Sequence, residues 1–221
     1  MKGVILYVTT GGEGMKVVDY LFCGWRYPVF LFVLLTSLFI HKNNLEAERI
    51  EFCFRQQVRN NIEYAIKKFK ADRYYTPELK NELANILYMA ETILGVKHKK
   101  ILAHWMLESR MNPNATGYNY GSHDGGLGQI NSRNFCWLPQ RSIFYIKKMG
   151  LHKYVYLMRD VNIYNPITNA FMSISYMSML QERYGKGWQS VISYNAGSPV
   201  YLVGVFKKYY KIYKNNFNNL I

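Results

Sequence analysis

Apolar residues recur along most of the chain at steps of three and four, and strict alternation is scarce, so the pattern predicts a mainly helical protein. The first apolar stretch is different. Residues 27–40 (YPVFLFVLLTSLFI) carry no charge and are apolar all round. Fourteen residues rise only about 21 Å as a helix, short of a hydrocarbon core of roughly 30 Å. Extending back through residues 21–25 adds length but takes in Arg26, whose guanidinium could snorkel. The stretch reads either as a signal-peptide core, from a start at Met15, or as an uncleaved signal anchor. No small-x-small cleavage site follows Ile40, which favours the anchor.

Residues 45–69 place Ile50, Phe54, Val58, Ile62, Ala65, Ile66 and Phe69 on one helical face, with Glu46, Glu48 and Glu51 early, where the helix dipole favours acids. Such a helix packs on the main domain or forms a stalk. Thr76-Pro77-Glu78 is a helix start, and Gly95 a stop. Further helices are predicted over 99–109, 139–149, 166–184, 188–194 and 201–213. Residues 114–131, rich in Gly, Asn and Tyr, read as loop with room for a short hairpin. Asn195-Ala196-Gly197 should break the helix over 188–194. The chain thus divides into an N-terminal anchor or signal segment (1–44), an amphipathic helix or stalk (45–75), a domain (76–214) and a frayed tail (215–221). The fold class expected is α+β, predominantly α-helical.

Composition narrows the partners. The 221 residues carry 28 basic and 14 acidic side chains, a net charge of +14, and 49% are hydrophobic. That excludes wholesale disorder and points to an anionic partner. The lysines are scattered singly or in pairs, so no nucleic-acid footprint stands out. Cys23, Cys53 and Cys136 form no metal pattern, and no metal or other cofactor is expected. Cys53 and Cys136 could pair in an oxidising compartment, or all three could be free thiols.

Glu108 is the candidate for chemistry. It ends a mostly apolar helix, where both the helix dipole and the apolar neighbours disfavour the charged carboxylate, as a general acid requires. Taken alone it could equally be a surface Glu paired with Arg110. Its neighbourhood decides. Glu108-Ser109-Arg110-Met111-Asn112-Pro113-Asn114-Ala115 is followed by Gly126-Leu127-Gly128-Gln129-Ile130 and then by Ser193-Tyr194-Asn195-Ala196-Gly197. In order, these match E-S-x-[FM]-N-P-x-A, G-L-[MG]-Q-[IL] and [AS]-Y-N-A-G. Asn165-Pro166 with Asn169 resembles the N-P-x-x-N that opens the intervening helix.

On these residues, over about 90–210, the chain resembles the soluble lytic transglycosylase domain, related to goose-type lysozyme. The resemblance implies a lysozyme-like fold and cleavage of the β-1,4 bond between N-acetylmuramic acid (MurNAc) and N-acetylglucosamine (GlcNAc) in peptidoglycan. It makes Glu108 the acid that protonates the departing oxygen and then the base that deprotonates the muramic acid's own C6 hydroxyl, leaving a 1,6-anhydro end. It also suggests that Ser109 orients the carboxyl or caps the turn. Gly126 and Gly128 would let backbone approach the sugar, and Gln129 would bind substrate or support the loop. Tyr194 would donate to the carboxylate or position the sugar, and Asn195 would fix its turn or contact substrate.

The second motif departs from the family pattern. Its lead-in is Gly121-Ser122-His123-Asp124-Gly125, which adds a second acid. Asp124 could activate water in a lysozyme-type hydrolase, or simply make an Asx turn. A non-catalytic wall-binding component is the further alternative. Tyr118, Tyr120, Trp137 and Trp188 are candidates to stack on sugar faces. The partners expected are peptidoglycan strands and, through the N-terminal segment, a membrane, with the domain on its extracytoplasmic side or secreted. Secretion-system or virion components fit the same chemistry.

Overall fold

The computed structural model describes residues 26–119, 121–196 and 203–217. Backbone proximity divides the chain into two units, Met1–Glu51 and Phe52–Ile221. Helix α1 (Arg26–Lys68) contributes to each. Its first part carries exposed apolar side chains, among them Phe32, Val33, Leu35 and Phe39. Thr36 returns its hydroxyl to the Phe32 and Val33 carbonyls, so its polarity is met within the helix. Among the described residues no helix is long and apolar enough to cross a membrane, so the single-pass reading of residues 27–40 gains no support here. Residues 21–25, which would lengthen that stretch, lie outside the described ones.

In the second unit the later part of α1 belongs to the core: Val58, Ile62, Ala65 and Ile66 are fully buried. Their spacing is the amphipathic face read from the sequence, and here it packs rather than projecting as a stalk. Helix α2 (Pro77–Met89) starts as its residues dictate, with the Thr76 hydroxyl accepting from Leu79 N at 3.2 Å and Pro77 in the first turn. A π-turn, Ala90–Leu94, and Gly95 at φ 71° end it. Helix α3 (His98–Glu108) follows.

A buried polar knot joins these elements. Glu91 accepts from the His98 ring (2.5 Å), the His98 backbone N–H (2.9 Å) and Lys97 (2.8 Å), and Asn61 on α1 meets the far side of the His98 ring at 2.9 Å. Burial alone would raise the Glu91 pKa. The bonds from His98 and Lys97 overcome it and hold the group at about 2. A carboxyl lowered in the folded state stabilises the protein above its ordinary value near 4.5, and that contribution fades as pH falls toward 2. Glu91→Gln is therefore expected to cost about 1–3 kcal/mol at pH 7. It should also flatten the fall in melting temperature between pH 5 and 3, which thermal scans across that range would reveal.

The predicted loop holds three short antiparallel strands, β1 (Thr116–Asn119), β2 (Ser122–Gly125) and β3 (Ile130–Asn131), in that order. Gly117 pairs with Asp124, and Asp124 with Asn131. Helix α4 (Leu138–Lys148) leads to α5 (Pro166–Tyr184). Every residue from 167 to 175 on α5 is buried, so over this stretch the helix shows no face to solvent. Two of its buried hydroxyls turn back onto the helix, Ser173 to Ala170 O and Ser175 to Phe171 O. It packs on α2, α4, β3 and α6 (Trp188–Ala196), while α7 (Val203–Phe217) packs on α3.

Two expectations are corrected. Residues 195 and 196 continue α6 instead of breaking it. The tail expected to fray from residue 215 is helical through Phe217, which is fully buried, its ring meeting Tyr64 at 6.5 Å and Tyr213 at 6.2 Å. Burial of one aromatic side chain outweighs the weak helix propensity of the asparagines around it. The result is the expected helical α+β, lysozyme-like fold. Cys53 and Cys136 are free and exposed, and Cys23 lies outside the described residues.

Candidate active site

Helix α3 positions Glu108 by burying what precedes it. Ile101, Leu102, Trp105 and Met106 are fully or almost fully buried. The Trp105 indole donates to Ser173 on α5 at 3.1 Å, fixing the helix against the core. Ser109 then returns both its hydroxyl (2.8 Å) and its N–H (3.1 Å) to the Trp105 carbonyl. Of its two expected roles, Ser109 thus fills the capping one. Arg110 and Met111 follow with φ of 53° and 61°, a left-handed pair that reverses the chain just past Glu108. The Tyr75 hydroxyl holds that reversal at the Met111 carbonyl, 2.8 Å away. Glu108 is partly buried at the rim of this turn.

The second motif forms a loop locked by one amide. Asn169, fully buried on α5, donates to the carbonyls of Gly125 and Ile163, both at 2.9 Å, and accepts from Gly128 N at 2.7 Å. The absence of a side chain at two glycines makes this contact possible. A Cβ on Gly126 would lie 2.1 Å from Asn169 Nδ2, and one on Gly128 would lie 2.6 Å from Ser173 Cβ. Gln129, at φ 45°, donates to Ala115 O (3.0 Å) and Gly126 O (2.9 Å), so its amide supports the loop.

Tyr194 donates to the Gly128 carbonyl at 3.0 Å and not to Glu108, the first of the two roles expected of it. Burial, and after it the charges of Glu108, Tyr176 and Asp124, raise its pKa well above the ordinary value, so it stays a phenol. The hydroxyl that reaches Glu108 Oε1 belongs to Tyr209 on α7. Sequence reasoning missed it. A signal existed: Tyr209, Ile212, Tyr213, Asn216 and Phe217 form a stripe at helical spacing, and a tyrosine on a buried stripe needs a polar partner.

Asp124 stands in strand β2, not in an Asx turn, with Oδ1 accepting from Asn131 at 2.6 Å. The Asn195 side chain and Tyr120 lie outside the described residues. Tyr118 is 84% exposed, whereas Trp137 packs on Tyr176 (5.9 Å) and Trp188 on Tyr210 and Tyr213 (5.7 and 5.4 Å). Among the described residues no cluster of His, Cys, Asp or Glu is placed to hold a metal ion. The arrangement offers one partly buried carboxyl with a phenol on one oxygen, beside a loop whose backbone is rigidly pinned. Proton donation and return is chemistry it can perform.

Comparison with known proteins agrees. The chain is 31% identical over 138 residues, 62% of its length, to the invasion protein IagB of Salmonella typhimurium (strain SL1344), and covers 78% of that protein. The same identity and coverage hold for the invasion protein IagB of Salmonella typhi. No solved structure matches. The model of the transglycosylase SLT domain matches residues 85–215, which hold Glu108, the Asn169-locked loop and Tyr209, and the chain therefore belongs to that family.

Proposed function

We propose that the protein is a peptidoglycan lytic transglycosylase in which Glu108 alone serves as acid and then base. The observation that carries this reading is the partly buried Glu108 carboxyl at the end of α3, held at Oε1 by the Tyr209 hydroxyl. Glu108 gives its proton to the oxygen between MurNAc C1 and GlcNAc C4, and the C1–O bond breaks. The MurNAc C6 hydroxyl then bonds to C1 and returns its proton to Glu108. No water enters, and the carboxyl ends as it began.

A second reading has one observation in its favour. Asp124 is held in β2 by Asn131, and its charge reaches Tyr194 beside the Glu108 helix. An ordered second carboxylate could activate water and make the enzyme a hydrolase. Mass spectrometry of muropeptides released from purified sacculi separates the two. Anhydro-muramyl ends support transglycosylation, and reducing ends overturn it. Asp124→Asn should slow release by no more than about tenfold if Asp124 only steadies the sheet, and by about 10²-fold or more if it is the base.

Location and partners belong to the same proposal. The substrate lies outside the cytoplasmic membrane, and the net charge of +14, with Lys207, Lys208, Lys211 and Lys214 exposed along α7, would favour an anionic wall or membrane surface. The apolar segment 27–40 would tether the domain there or be cleaved on export. Opening the wall for a secretion apparatus or a virion fits that substrate, and likeness to invasion proteins favours a role in invasion.

A further inference from the structure

The reaction just described leaves one buried titratable group beside Glu108 without a task, and none of the three motifs contains it. His104 lies one helical turn before Glu108 on α3 and is fully buried. Its Nδ1 is 2.6 Å from the Tyr209 hydroxyl, and the two rings stack at 5.3 Å, 8° from parallel. The Tyr194 ring closes on it from α6 at 3.9 Å. Nε2 has no hydrogen-bond partner among the described residues. The titratable groups around the ring are thus Glu108 on its own helix, Tyr194 on α6 and Tyr209 on α7.

A phenol has one proton to give. Burial, then the charge of Glu108, raise the Tyr209 pKa well above its ordinary value, so that proton stays on the ring oxygen. Once it is directed to Glu108 Oε1, it cannot also serve His104, and the 2.6 Å contact must be donated by Nδ1. Burial lowers the His104 pKa, with Glu108 and the Gly128 carbonyl acting the other way, so the ring is neutral and has a single N–H. Placing it on Nδ1 leaves the Nε2 lone pair buried without a hydrogen bond, the cost of directing the Tyr209 proton to Glu108.

We propose that His104 is a positioning residue: its Nδ1–H fixes the Tyr209 oxygen so that the phenol proton is aimed at Glu108 Oε1, which keeps the catalytic proton on the other carboxyl oxygen. The chain of donation His104 to Tyr209 to Glu108 also polarises the phenol and strengthens its bond to the acid. The inference rests on Glu108 being the acid.

A double-mutant cycle on the full-length protein tests it, reading muropeptide release from sacculi. His104→Phe keeps the stacked ring and removes the donor. It should lower kcat about tenfold with KM changed by less than about twofold. Tyr209→Phe should lose a similar factor, and the double variant should be no slower than Tyr209→Phe alone. His104→Asn, whose amide N–H can occupy the Nδ1 position, should restore most of the rate. Nitrogen-15 NMR of the wild type should find the imidazole proton on Nδ1. Losses that multiply in the double variant, or a proton on Nε2, overturn the proposal, and the NMR result stands even if His104→Phe fails to fold. An active Glu108→Gln would instead sink the reading beneath it. An inactive Glu108→Gln beside multiplying His104 and Tyr209 losses would sink this inference alone.

Discussion

Glu108→Gln is expected to slow muropeptide release from sacculi by about 10³-fold while leaving the melting temperature within about 2 °C of wild type. The substitution keeps the shape of the side chain and an oxygen that can still accept from Tyr209. It removes the transferable proton, and with it both halves of the proposed reaction, in which the same group protonates the leaving oxygen and deprotonates the C6 hydroxyl. General acid–base assistance contributes about 10²–10⁴ in typical enzymes. The fold has little stake in the change, because it leaves the contacts of Trp105, Ser109 and the reversal at Met111 that hold α3 as they are. Matched unfolding curves beside a collapsed rate would assign Glu108 to chemistry. A rate near wild type would remove the central assignment, whatever products were found.

How far such a site can be read from sequence depends on which contacts are local. Thr76-Pro77 and Asn165-Pro166 set the starts of α2 and α5 because capping is decided within four residues. Glu108 could be found the same way, from its place at the end of an apolar helix and the motif around it. Its partner could not, since Tyr209 lies 101 residues further on and its contact exists only once α7 docks on α3. Gly126 and Gly128 were legible as glycines that something approaches closely, but not as to what. The sugar was the natural expectation, and the structure adds Asn169 and Ser173 as neighbours that an added Cβ would meet. Tyr194 shows the same limit: its motif marked it as part of the site, while only the packed structure directs its hydroxyl to Gly128. Phe217 reverses the local expectation outright, because tertiary burial outweighs an asparagine-rich run.

The loop's dependence on Asn169 yields the largest stability effect. Gly126→Ala is expected to destabilise the protein by about 4 kcal/mol, or roughly 10 °C in melting temperature. The new Cβ would meet Asn169 Nδ2 at 2.1 Å and the Ile163 carbonyl at 2.3 Å, with the backbone at φ 77°. Neither neighbour can yield cheaply: the amide is fully buried and satisfies three backbone groups, and the carbonyl is main chain. Gly150→Ala supplies the control. It shares the left-handed backbone, at φ 73°, but its added Cβ would meet nothing within 4 Å. Its cost should be only the conformational one, about 1 kcal/mol. Equal losses at the two sites would mean that backbone conformation, not the Asn169 contact, is what Gly126 provides. Asn169→Ala should not rescue Gly126→Ala, because trimming the amide still leaves the Ile163 carbonyl in the way and three buried backbone groups unpaired. Since the same loop carries the Gly128 carbonyl that holds Tyr194 against His104, the displacement should reach the acid as well, and residual activity in Gly126→Ala should fall at temperatures where the protein remains folded.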